Sequence, residues 1–426
     1  MAEQLSAMYA QEVPKYAQLV DATEQVNADA DDATDAGRLG KERHGAIRLA
    51  NFDELSQIAK LFSLYGMEAV GFYDLRTSPT PLPVVSTAFR PIDPADMAAS
   101  PFRMFTSTLV ADDERFFSPQ LSAGIVERTS SRQLLSDELV ELMEEFSAPK
   151  SKRLVELTVD AFRLNLDPID EQWHAALDEV SPVASDIAAA AGTHLNHLTP
   201  RVADIEALHA LMESRGVTMI DRIQGPPSWA GPDVLLRQTS FRALDEMRAF
   251  ITADGDRVER SVRVRFGEVE QRGIALTRQG RAKVDAAMNA AKPGTTEAER
   301  IETIRSELAN QLAPTVRELA ANGDIYVEYH ATPVPVPGGV ANVDALIEAG
   351  CIELMPITYE DFLPASAAGI FASNLAHDGK TVEDTSDRAR DGERLREAVG
   401  TLHDPYALYK AQQDASLQSA LAALGL

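Results

Sequence analysis

Cysteine is almost absent from this sequence: Cys351 is the only one in 426 residues. A single thiol excludes an intramolecular disulfide and any thiolate-rich zinc or iron–sulfur site, so a metal here must be held by His, Asp and Glu. Histidine is itself scarce, with 8 in the chain. Basic charge is also short, with 40 Lys and Arg against 66 Asp and Glu, a formal net charge of −26. Such a field repels phosphate backbones and anionic lipid, which argues against nucleic acid and membrane as partners. No run approaches about 18 consecutive apolar residues, so no transmembrane helix is expected. The first residues, MAEQLSAMYAQEVPKYAQLV, lack a basic start followed by an apolar stretch, and do not read as a signal peptide. With these exclusions the cytoplasm is the default expectation. Cys351 itself reads as a small buried hydrophobe.

What is present is an ordinary globular balance, 45% hydrophobic and 25% charged, at a length that suits two or three domains. Residues 1–40 read as a helical segment, broken at Pro14, followed by the acidic connection NADADDATDAGRLG. Residues 41–129 form a first βα unit. A strand in RHGAIR leads to a cap at Asn51 or Asp53, then to a helix with Leu55, Ile58 and Phe62 at helical spacing, a stop at Gly66 and a second strand. Residues 130–192 read as a helical insertion. Residues 193–375 repeat the first unit in outline and add C-terminal sheet and loop elements: a strand with His197 and Arg201, a cap at Asp204, a helix and a stop at Gly216. This part also contains SVRVRFGEVEQRGIALT, read as one strand, and a helix expected over 295–321. Residues 376–426 are a helical tail. The repeat is the strongest organisational signal, because internal βα repeats change the expected fold.

The repeat also singles out histidines. His44 and Arg48 are four apart, as are His197 and Arg201, and residues two apart on a strand share a face. If the units pack about a pseudo-twofold axis, both histidines face one cavity. A carboxylate to complete a metal site is available from Glu268 or Glu270, which strand parity does not separate. Two imidazoles and one carboxylate form the facial triad of non-haem Fe(II) oxygenases, which leaves positions open for substrate and O2. Against this stands the commoner role of a strand-end histidine, a hydrogen-bonded structural group. His194 rivals His197 but falls on the opposite face of a regular strand. His174, His209, His330, His377 and His403 lack a partner at useful spacing.

An acidic protein that binds a small anion must place a local cation to do so, and planar guanidinium suits carboxylate. Arg48 shares its strand face with His44. That arrangement fits a substrate that chelates a metal through a 2-oxo acid and presents a second carboxylate to an arginine. Arg90, Arg103 and Arg237 are further candidates, with ion pairs in an acidic protein as their plainer role.

Several long segments then point to one family. ERHGAIR, STAFRPID, PFRMFTS, NHLTPR, QGPP, LLRQTSF, FGEVEQRGIALT and ITYEDFLPASAAGIF closely resemble the 2-oxoadipate dioxygenase/decarboxylases, also called 2-hydroxyglutarate synthases, over nearly the whole chain. The resemblance implies an α+β fold similar to the vicinal-oxygen-chelate proteins, in which paired βαβββ units form a cupped sheet around a metal. It implies an enzyme using Fe(II) to convert 2-oxoadipate and O2 into 2-hydroxyglutarate and CO2, a step of lysine breakdown. By position the family's metal ligands fall on His44, His197 and Glu270. Its substrate arginine falls on Arg48, and a further substrate contact on Ala365, where the family has valine. Two other readings keep the cup but change the use. Zn²⁺ or Ni²⁺ would support isomerase or lyase work on a small oxo compound. A non-catalytic module would sequester a small ligand and would have no need of the three metal ligands together.

Overall fold

The first of two units comprises residues 1–224, 238–270 and 364–402, the second residues 225–237, 271–363 and 403–426. The computed structural model describes residues 1–30, 36–78, 80–263, 265–291, 294–338, 342–363 and 388–426. Among these, no helix is long and apolar enough to cross a membrane.

The first unit contains β1 (Arg43–Leu49), β2 (Glu68–Asp74), β3 (Val84–Arg90), β4 (Phe102–Leu109), β5 (Ile169–Asp170) and β6 (Leu195–Pro200). Five strands of one sheet run in the order β2-β3-β4-β1-β6. The β1–β4 pair is parallel, and β1 lies antiparallel to β6. The chain leaves β1 through the helix Phe52–Ser63. Asn51 Oδ1 accepts from Glu54 N at 2.9 Å, and the Glu54 carboxylate accepts from Ala50 N at 2.7 Å. The first bond satisfies an amide that the opening helical turn would leave orphaned, and the second ties down the chain just before the cap. The return to β2 runs through Gly66 at φ +70°, a left-handed position that glycine takes without strain.

The same plan recurs after β6. Asp204 caps the helix Ile205–Ser214 by accepting from Ala207 N at 2.9 Å, and Gly216 reverses the chain at φ +77°. Residues 219–224 then bridge antiparallel to β7 (Leu236–Ser240) and the adjoining Phe241. After β8 (Glu246–Ile251) and β9 (Arg257–Val262), which form a small sheet with β5, comes β10 (Glu268–Arg272), paired to β7. Arg201, just past β6, bridges in parallel to Glu270 of β10, and Val202 N donates to the Glu270 carbonyl at 2.8 Å. Each repeat is thus a βαβββ unit whose first and last strands run parallel, and the two join through β1 and β6. This is the α+β arrangement of paired βαβββ units that the family resemblance implied. Between β4 and β6 the chain is mainly helical, and includes the helix Pro182–Ala188, buried from Val183 onward.

In the second unit β11 (Val327–Ala331) and β12 (Ile352–Pro356) pair antiparallel. The helix Pro405–Ala423 is tied to β11 by bonds from Gln413 and Ser416 to its backbone amides.

Two sequence expectations are revised. The helix expected over 295–321 is two, Glu297–Gln311 and Val316–Ala321, because Pro314 has no amide hydrogen and pushes the residue before it out of the helical region. The single strand expected in SVRVRFGEVEQRGIALT is split into β9 and β10. They take different partners, and Gly267 before β10 lies so close to Phe241 that a Cβ would sit 2.3 Å from the ring.

Candidate metal centre

Register places the site. Across the β1–β6 junction His44 is opposite Thr199 and Ala46 is opposite His197, with an irregularity beyond Ala46. His197 therefore sits level with the midpoint between His44 and Arg48 on the shared face. The imidazole centroids are 5.4 Å apart and nearly perpendicular. Both rings are buried, His44 at 1% and His197 at 4% exposure. β10 brings Glu268 and Glu270 to the same place, equally buried.

Among the described residues, one group of donors converges as a metal site requires: His44, His197 and Glu268, with one ligand atom from each and all within 4.8 Å of one another. Glu268 Oε2 lies 3.6 Å from His44 Nε2, and Oε1 lies 3.4 Å from His197 Nδ1. Glu270, the carboxylate the resemblance favoured, meets the other nitrogen of His44, Nδ1, at 2.8 Å. Gln238 of β7 donates to Glu268 Oε2 at 3.0 Å and fixes that carboxylate from behind.

Electrostatics follow from burying two carboxylates against two imidazoles. Burial pushes the His44 pKa down, but Glu270 and Glu268 outweigh it and the net shift is upward. His197 is held well below the usual histidine range by burial, with His44 and Arg48 adding to the effect. Burial raises the Glu268 pKa, with His44 opposing it and the Glu270 charge adding to it. One imidazole is thus drawn toward a proton while its neighbour is kept neutral. His197 Nδ1 is buried with no hydrogen-bond partner among the described residues. A divalent cation would satisfy that orphan nitrogen and the carboxylate together, so the donor set fits a metal.

The arginines separate by neighbourhood. Arg48 Nη1 donates to Asp186 Oδ2, within a buried pair. Arg103, directly across from His44 on β4, bonds Glu42 at 2.7 Å and lies 3.9 Å from Glu270. Arg201 bonds the same Glu42 at 2.9 Å. Arg90 donates to the Pro91 carbonyl at 3.2 Å. Arg237 bonds Ser228 Oγ at 3.0 Å within the second unit. His194, the rival to His197, is buried beside Asp186 and accepts from Asn196 at 3.1 Å in its neutral form. Ala365 lies outside the described residues.

The sequence reading passed over Asp186 and Gln238. Asp186 did carry a signal: it is the one charged residue in PVASDIAAAAG, and a carboxylate inside an apolar helix must have a partner.

Comparison with known proteins gives a consistent result. A family model described as 2-oxoadipate dioxygenase/decarboxylase matches residues 1–374. A curated protein of that name from Mycobacterium bovis is 45% identical over 421 residues, 96% of this chain and 94% of the relative. Another, from Pseudomonas putida, is 35% identical over 99% of this chain and 95% of its own. The crystal structure of the hydroxyglutarate synthase from Pseudomonas putida in complex with 2-oxoadipate is similar with a TM-score of 0.87 at 33% identity, covering 100% of this chain and 97% of that one.

Proposed function

The chain belongs to the 2-oxoadipate dioxygenase/decarboxylase family, and from that premise we propose that it converts 2-oxoadipate and O2 to 2-hydroxyglutarate and CO2 with Fe(II), in the cytoplasm, as a step of lysine breakdown. The observation that carries the metal-dependent reading is the convergence of His44, His197 and a β10 carboxylate in one buried cluster. Fe(II) bound there would supply a chelation point for the 2-oxo acid and the electron chemistry that O2 requires.

The chain's own groups do the rest. His197, kept neutral by its surroundings, offers a lone pair. Glu268 approaches both imidazoles and serves as the third ligand. Glu270, which the family resemblance places in the ligand set, lies 2.8 Å from His44 Nδ1 without hydrogen-bond geometry and stands as the second carboxylate within reach of the metal. Arg48, two alternate positions beyond His44 on β1, binds the carboxylate at the far end of the substrate. Burial of all these groups keeps bulk water from the reacting carbon.

The test is an oxygen electrode with CO2 capture on protein loaded anaerobically with Fe(II). Adding 2-oxoadipate should give O2 uptake matched one-to-one by CO2 release, with 2-hydroxyglutarate formed. No uptake with any 2-oxo diacid from four to seven carbons would sink the oxygenase reading. It would leave isomerase or lyase chemistry in the same cup.

A further inference from the structure

Arg48 is the cation assigned to the substrate, yet it does not stand on β1 alone. Its carbonyl oxygen accepts from the Thr193 hydroxyl at 2.7 Å, which pins the backbone. Its guanidinium donates through Nη1 to Asp186 Oδ2. Asp186 comes from the buried helix Pro182–Ala188, whose first turn is capped by Ser181, and the same Oδ2 accepts from Asn196 Nδ2 at 3.0 Å. The carboxylate is thus anchored twice, on Arg48 and on the residue next to His197. Burial by itself would favour the neutral acid, but His194, Arg48 and Asn196 turn the balance and lower its pKa. A long, flexible guanidinium stem can hold a substrate in register only if something holds the stem.

We propose that Asp186 is a positioning residue for the substrate clamp: it fixes the Arg48 guanidinium on the strand that carries His44, and so enforces the requirement for a second carboxylate. The inference rests on the assignment of 2-oxoadipate as substrate, and it concerns selectivity between acids of equal length. A neutral Arg48–Asp186 pair also attracts no anion indiscriminately. Only a ligand whose carboxylate arrives at the held guanidinium gains from it.

The experiment compares 2-oxoadipate with 2-oxohexanoate, which keeps the chelating end and lacks the distal carboxylate. Anaerobic calorimetry on metal-loaded protein reads binding without turnover, and kcat and KM are read separately in air. In Asp186→Asn, the preference for the diacid should fall at least about tenfold, mainly through Kd and KM, while 2-oxohexanoate binding changes by less than about twofold. Arg48→Lys should lower the same preference. Adding Asp186→Asn to it should cost less than about threefold more, because the two residues act as one unit. A preference unchanged in Asp186→Asn, or losses that multiply in the double variant, would overturn the proposal. Should Asp186→Asn fail to fold, Asp186→Glu reads the same ratio with the charge kept but displaced by one methylene. Wild-type protein that binds neither acid would overturn the substrate assignment instead, an outcome visible before any variant is made.

Discussion

The meeting of His44 and His197 was legible because β-strand parity is a strict rule, and both histidines recur at one position of a repeated unit. The choice between Glu268 and Glu270 was not legible, since the two share a face of one strand; only their distances to opposite nitrogens of His44 separate them. Metal loading of the two isosteric variants tests that separation. Glu268→Gln should lose stoichiometric metal, by about tenfold or more in affinity, whereas Glu270→Gln should keep a weakened site. The reverse result would transfer the ligand role to Glu270. Asp186 carried the signal of a lone charge in an apolar run, but its partner was not legible because it lies in a strand 138 residues away. Its neighbour His194 gives a second prediction. Burial pushes the His194 pKa down to about 4 from the usual 6.5. Between those values the unfolded chain takes up a proton that the folded one refuses. Its contribution is therefore intact above about pH 6.5 and is lost as pH falls toward 4, by up to about 3 kcal/mol. Chemical denaturation across pH 4 to 7 should show a shallower acid slope for His194→Gln than for wild type, and equal slopes would remove His194 from the account.

Elements were legible where local chemistry decides them. The caps at Asn51 and Asp204 and the stops at Gly66 and Gly216 are short-range signals, and the structure shows each of them at work. The boundary between β9 and β10 was hidden, because it arises from a long-range contact. Phe241 N donates to the Gly267 carbonyl at 3.1 Å, and the Phe241 ring fills the space where a side chain at 267 would go. Leu19, from the helix Pro14–Ala28, closes the other side, 3.2 Å from the same point. The strand that carries both carboxylates thus begins at a residue that cannot bear a Cβ without displacing an aromatic ring. Gly267→Ala should shift β10 relative to β6. We expect a loss of about 1 to 3 kcal/mol in stability from overpacking and a larger proportional loss of metal affinity, because the ligand geometry depends on the register between Arg201 and Glu270. Denaturation and metal titration on one preparation check this. A variant destabilised by that amount but with wild-type metal affinity would show that β10 keeps its place by other means.

At the scale of the whole chain the shortage of basic residues becomes a statement about kinetics. The net charge is −26, and 2-oxoadipate is a dianion, so the long-range field opposes its approach. The two terms have different ranges. The pull proposed for Arg48 acts over contact distances at a buried residue, where salt has little access. Repulsion from the acidic surface acts through solvent and is screened, with a Debye length of about 30 Å at 0.01 M salt and about 8 Å at 0.15 M. Raising an inert, non-chelating salt between those limits should therefore increase kcat/KM for 2-oxoadipate by a few-fold, about two to five, through faster approach and tighter binding. A singly charged 2-oxo monoacid should respond with roughly half that logarithmic slope, because the repulsion scales with ligand charge. The opposite sign, with kcat/KM falling as salt rises, would mean that a positive field at the entrance dominates the acidic surface. Arg48→Lys separates the two terms, since it keeps the charge and loses the fork: it should lower kcat/KM by about 2 to 5 kcal/mol equivalent and leave the salt slope unchanged. A slope that changed with that substitution would place the salt-sensitive step at the clamp itself and not in the approach to it.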